Sequence, residues 1–438
     1  MQALLSFEQA PPIAAPFRFF LTAPFFSALA GVLLLTNGAE IFSSRWSSAA
    51  LAATHLITVG FMLQVMIGAM VQILPVVAGA NLGRPLLVAS VVHGLMVPGA
   101  LALIAGFLGV SALAFPLAML LLVAGIGLFL VMAARSLHGV PSTSATIAGF
   151  KRALLGLLVV VVIGLALIGG LEGYWSLAML AVTRMHVAWG LGAWGLGLLS
   201  AIAYVVVPMF QITPQYPVWF SRGFGSVLLA SVVMASLASL TATEWLLSVL
   251  EATIVWMSAG FCAMTLWLQA RSKRARPDLT QRFWRLGLSC GLAACLLWGT
   301  IRVIPALEPQ AEWPLVFGAL VLVGGFVSVI SGMLYKIVPF LVWLHLQNRG
   351  KGKVMAPNMK MVLAESRMAR HFYAHLASCG LLVAAPFWPT VLAKFAGLAM
   401  IAASALLAAN LLSAVAVYRH HARLIDERLA STLAGGGA

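Results

Sequence analysis

Charge is what this chain has least of. Only 8% of its 438 residues are charged, where soluble globular chains carry about 25%. Acidic residues are scarcest, 11 against 26 Lys and Arg. So few charges cannot clothe a water-facing surface of this length, which excludes an ordinary soluble enzyme. Cysteine is sparse too. Cys262, Cys290, Cys295 and Cys379 lie in or beside apolar runs and form no CxxC pair. They read as small buried hydrophobes rather than a disulfide framework or zinc site. No CxxCH is present, so no attached cytochrome c domain is expected. No Walker or dinucleotide-binding pattern appears either. The opening MQALLSFEQAPPIAAPFRFF lacks the basic start and short apolar core of a cleaved signal peptide. The first apolar run therefore reads as a retained helix.

What fills the chain is apolar: 62% of it. A helix needs about 20 apolar residues to cross the hydrocarbon core, and isolated strands cannot face lipid. The apolar runs predict spans over 17–37, 52–79, 86–109, 113–134, 151–171, 177–210, 223–242, 244–269, 283–304, 314–345, 371–388 and 391–418. Only Thr243 and Glu244 mark the division between the seventh and eighth. The expected fold is all-α, a polytopic transmembrane bundle of about 12 helices forming a single integral membrane domain over 1–438.

Basic residues orient the spans. With both termini and the loops after even-numbered spans on one side, that side holds 22 of the 26 Lys and Arg. Arg45, Arg184, Arg302 and Lys394 fall on the other. Both termini are thus expected to be cytoplasmic. The net charge of +15 is assigned to inside loops facing lipid headgroups, not to nucleic acid.

An internal repeat is also legible. Ile67–Pro75 (IGAMVQILP), Ser200–Pro208 (SAIAYVVVP) and Ser331–Pro339 (SGMLYKIVP) are similar nonamers, with prolines 133 and 131 residues apart. Four spans per period keep the copies in one orientation. Repeats at a fixed period are a fold-level signal. The expectation is three four-helix units, about 17–134, 151–269 and 283–418, related by a pseudo-threefold axis.

Histidines inside spans are site candidates by default. His55 begins span 2 and His186 lies in span 6. They precede their repeat prolines by 20 and 22 residues, where the third repeat has Ala319 and Phe317. Glycines follow both, Gly60 and Gly68 in span 2 and Gly190, Gly192, Gly195 and Gly197 in span 6. Such small residues allow close helix approach or leave room for a flat macrocycle; both readings stay open. His93 in span 3 reads as a packing or proton-path residue. His138, His420 and His421 fall in basic loops or tails. His345, His371 and His375 form a possible metal cluster at the inner mouth, the last two spaced i, i+4 on one helix face. Interfacial roles without a metal are the alternative. Arg184 and Arg302, on the outer side, are able to hold a carboxylate such as a haem propionate. Glu172, Glu308 and Glu312 are alternative partners for them.

The elements THLITVGFMLQVMIGAMVQILP, HVAWGLGAWGLGLLSAIAYVVVPMF and SGMLYKIVPFLVWLHL resemble divergent, non-oxidase relatives of the haem–copper oxidase subunit I superfamily. The resemblance covers most of the chain at the level of topology. By it, His55 matches the span 2 ligand of a low-spin haem, and His186 the span 6 position that ligates copper in true oxidases. The departures are large. SRGFGSVLLASVVMASLASL lacks the expected span 7 histidine pair, PLVFGALVLVGGF lacks the span 10 haem ligands, and Gly190 stands where a tyrosine is expected. The resemblance therefore implies a single b-type haem with an altered ligand set and no copper at the oxidase position. APFRFF and the HLITVGF stretch are also similar to the NnrS family of twelve-span haem-and-copper membrane proteins linked to nitric oxide stress. Together they imply a multi-pass protein of the bacterial inner membrane. Its role would lie in electron transfer or nitrogen-oxide-related respiration, with a cytochrome or other respiratory subunit as partner. A permease lined by Gln64, Gln72, His93 and Tyr204, and a non-catalytic assembly subunit without cofactor, are the alternatives.

Overall fold

In a computed structural model the chain is all-α; residues 7–241 and 243–435 are described. Twelve helical rods follow one another among them: α1 (Ala14–Asn37), α2 (Ser48–Ala78), α3 (Pro85–Phe107), α4 (Ala114–Leu137), α5 (Ala145–Leu171), α6 (Met179–Gln211), α7 (Val218–Leu240), α8 (Glu244–Ala270), α9 (Leu279–Val303), α10 (Glu312–Arg349), α11 (Glu365–Ala384) and α12 (Pro389–Gly435). Among the described residues, eleven of these are long and apolar enough to cross a membrane. The exception is α11, predicted as a span over 371–388. It starts earlier and brings Glu365, Arg367 and Arg370 into its first turns. The protein is a polytopic membrane bundle, and its outer faces suit lipid: Leu120, Val162, Trp219 and Leu398 are all more than half exposed.

Three rods are not regular α-helices. A π-helical stretch interrupts α2 at Leu56–Leu63, α6 at Ala188–Leu196 and α10 at Leu320–Val327. The stretches begin 132 residues apart in both intervals. π segments are rare and concentrate at functional sites. Three at one period, in the three rods that carry the repeat nonamers, extend the repeat from sequence to backbone.

Side-chain packing repeats as well. A Cβ on Gly68 would stand 2.9 Å from the Phe19 Cβ and 3.1 Å from the Pro16 carbonyl oxygen. On Gly332 it would stand 2.7 Å from the Phe283 Cβ and 3.1 Å from the Thr280 carbonyl oxygen. The sequence separations, 49 and 52 residues, are the same in both pairs. Gly149 of α5 meets Ala201 of α6 across the same 52 residues, at 2.5 Å. Each bulged rod thus receives the rod before it at a small residue seven positions ahead of its proline.

By contacts the chain divides into two compact units. The first comprises Met1–Gln9, Ile73–Arg276 and Leu288–Gln310, and the second Ala10–Gln72, Pro277–Gly287 and Ala311–Ala438. In the first unit α3 pairs with α4, α5 with α6, and α7 with α8. In the second, α12 packs along α1, α10 and α11, and the π segments of α2 and α10 lie against each other.

Candidate functional site

The residue that follows each π segment holds a repeated position: Gln64, Gly197 and Ser328. A π turn adds one residue to the helix, so it re-aims every side chain beyond it. In α10 the re-aimed residue opens a buried polar chain in the second unit. The Ser328 hydroxyl lies 2.7 Å from His375 Nε2. The His375 and His371 rings are 6.0 Å apart. The Tyr335 hydroxyl lies 2.8 Å from His371 Nδ1. Asn410 Nδ2 donates to the Tyr335 oxygen at 2.7 Å and to the Arg367 carbonyl at 3.3 Å. With its oxygen accepting from Asn410, Tyr335 has its own proton to give to His371 Nδ1. That assignment puts the His371 proton on Nε2. Phe283 of α9 covers both histidines and Tyr335. His371, His375, Tyr335, Ser328 and Asn410 are all buried, and the network pairs the polar atoms it joins where water is excluded.

The structure does not bring His345 to this pair. His345 Nδ1 faces the carbonyl of Leu341 at 2.9 Å, and Nε2 that of Pro11 at 3.0 Å. Both ring nitrogens are thereby engaged by backbone, which corrects the expected three-histidine cluster. Among the described residues no group of three His, Cys, Asp or Glu is arranged to hold a metal ion.

His55 and His186 belong to different units, His55 to the second and His186 to the first. His55 ends the α-helical start of α2, one residue before the π segment. Its Nδ1 lies 2.8 Å from the Leu51 carbonyl, one turn back. A carbonyl can only accept, so Nδ1 carries the proton and Nε2 the lone pair. The glycines after His55 serve helix packing. A Cβ on Gly60 would collide with Phe26 at 2.5 Å, and Gly68 receives Phe19 and Phe20. His186 is packed in the same manner. Its Cε1 stands 3.2 Å from where a Gly164 Cβ would lie, so the ring rests on α5.

The two outer arginines sit with His186 in the first unit and hold carboxylates other than those expected. Arg302 pairs with Glu251 at 3.0 Å, and Arg184 approaches Glu244 at 3.9 Å. Lys336 of α10 pairs with Asp278 at 2.7 Å, whose other oxygen accepts from the Gln281 N–H at the start of α9.

Sequence reasoning missed Ser328 and Asn410 and gave Tyr335 no role beyond its place in the repeat nonamer. Asn410 lies in a long apolar run, where a lone amide was the available signal. No protein-family model and no curated protein matches the chain.

Proposed function

We propose that the protein is a haem–copper-oxidase-like protein of the bacterial inner membrane, with both termini cytoplasmic. It lacks the copper site and holds one b-type haem through His55. What supports this is the threefold recurrence of a bulged rod with a proline eleven residues past the residue that follows the bulge, together with the anchoring of His55. An imidazole whose Nδ1–H is fixed by a backbone carbonyl presents Nε2 as a ligand nitrogen in a set orientation, the arrangement usual for metal-bound histidine. The donor at His55 fits one axial position. A haem there would supply one-electron chemistry, for electron transfer to a respiratory partner or for reaction with a nitrogen oxide. The role of the chain would be to fix the His55 ring through Leu51 and, by the close packing at Gly60 and Gly68, to exclude water from the helix behind it.

An optical spectrum of the purified protein, oxidised and reduced, tests this. A Soret band that is lost in His55→Ala, with haem content falling in parallel, is expected. Absence of any such band after reconstitution with haem sinks the proposal.

A permease is the second reading. It is favoured by Gln64, fully buried just beyond the first π segment with both amide atoms unpartnered. Substrate-dependent uptake into proteoliposomes without a chromophore would favour it.

A further inference from the structure

The three repeats present the same helix pair with different side chains, and the second repeat holds an unneutralised charge. Forty-nine residues before the small residue at which the two rods meet stand Phe19, Arg152 and Phe283. Phe19 and Phe283 are fully buried aromatics. Four residues before the repeat proline stand Val71, Tyr204 and Tyr335. In the third repeat Phe283 packs on Tyr335, whose hydroxyl is partnered by His371 and Asn410. In the second repeat an arginine replaces the phenylalanine, and neither His371 nor Asn410 has a counterpart at the tyrosine.

The consequence is a small, partly open recess lined by Arg152, Gly197, Ser200, Tyr204, Gly225 and Leu228 among others. The contacts of Gly149 with Ala201 and of Gly156 with Ala193 set α5 and α6 antiparallel. Side chains lean toward the N-terminus of their own helix. Arg152 and Tyr204 therefore lean toward each other. Gly197, the residue re-aimed by the π segment of α6, leaves the space between. Gly225 of α7 lets the guanidinium lie flat, since a Cβ there would stand 3.0 Å from Nη2 and 3.1 Å from Nε.

Two donors remain without an acceptor. Arg152 Nη1 donates to Ser226 Oγ at 3.1 Å, but Nε is buried and unpartnered. The Tyr204 hydroxyl is buried beside Ser200, whose own proton goes to the Gly197 carbonyl at 3.0 Å, and it makes no hydrogen bond of good geometry. Among the described residues no carboxylate is within ion-pair distance of Arg152. Arg152 as a whole is half-buried, but a cation within an apolar span with no carboxylate beside it is a site candidate, and leaving its buried Nε without an acceptor costs about 1–3 kcal/mol.

We propose that this recess binds a small planar anion with oxygens in one plane, of the carboxylate or nitrate kind. One oxygen would accept from Arg152 Nε and another from Tyr204 Oη. A guanidinium edge matches two in-plane oxygens and not a sphere, and the small recess excludes bulky anions. The site is independent of any haem.

Full-length protein in nanodiscs, held at constant ionic strength with gluconate, is titrated calorimetrically with formate, nitrate and chloride. Formate or nitrate is expected to bind saturably at one site, with chloride at least about tenfold weaker. Tyr204→Phe removes a single oxygen from the protein and is expected to weaken binding about tenfold or more, the loss of one hydrogen bond to a charged group. Arg152→Gln is expected to abolish binding, and Gly225→Ala to weaken it by displacing the guanidinium. No saturable heat in the wild type overturns the proposal. So does unchanged affinity in Tyr204→Phe and Arg152→Gln, or chloride binding as tightly as formate. The haem spectrum is unaffected by any of these outcomes, so the two proposals fail separately.

Discussion

At the scale of single residues, the Asn410–Tyr335–His371 chain ties α12, α10 and α11 to one another through buried polar contacts. The sequence places His371 and His375 on one helix face, and they do lie together, buried under Phe283. Spacing within one helix fixes that. It does not fix what crosses between helices, so Tyr335 and Asn410, 36 and 75 residues apart from their bonded neighbours, left no trace in the pattern. For the same reason Arg302 holds Glu251 rather than Glu308 or Glu312, because neighbours in space come from α8 and not from the adjoining loop. The bond of His55 to Leu51, four residues back, is by contrast the kind that helical geometry alone provides. The Asn410–Tyr335–His371 chain gives a direct prediction. Tyr335→Phe leaves a donor and an acceptor unpaired in the interior and should cost about 1–3 kcal/mol. Replacing His371 by Leu in that background removes one orphan and should recover part of the loss. Thermal unfolding in nanodiscs measures both, and an unchanged midpoint in Tyr335→Phe would mean that the chain of bonds is not formed.

At the scale of elements, hydropathy located the rods because lipid demands uninterrupted apolar helix. Most observed ends fall within a few residues of the expected ones. The π segments were invisible, since a shift from i→i−4 to i→i−5 bonding changes neither composition nor length enough to register. They are nonetheless what positions Gln64, Gly197 and Ser328. The glycines separate into two kinds that the sequence cannot distinguish. Gly332 faces Phe283 and the Thr280 carbonyl at 2.7 and 3.1 Å, whereas a Cβ on Gly127 of α4 would meet nothing within 4 Å. Gly332→Ala should therefore force α9 and α10 apart and destabilise by about 1–3 kcal/mol, the usual cost of overpacking. Gly127→Ala should be neutral or stabilising by up to about 1 kcal/mol through helix propensity. Equal unfolding midpoints for the two variants would contradict the repeated close approach of the paired rods.

At the scale of the molecule, the side on which the chain ends depends on α11. This rod has 20 residues, which at 1.5 Å each span about 30 Å, the thickness of the hydrocarbon core. Its charged residues, Glu365, Arg367 and Arg370, lie in the first turns next to the basic segment around Lys351, Lys353 and Lys360, where headgroups can solvate them. Its two buried histidines are engaged by Tyr335 and Ser328, so they do not enter lipid bare. After Ala384 a turn over 385–388 leads into α12, which packs back along α11. A hairpin so short requires both rods to cross or neither to cross. Since α12 is among the eleven most apolar rods, both should. Phosphatase fusions after Arg271 and Ser431 are then expected to be inactive, in the cytoplasm, while fusions after Thr243 and Trp388 are active outside. Activity at Ser431 with none at Trp388 would show that α12 crosses without α11. The termini would then lie on opposite faces, and the basic loops would no longer account for the orientation.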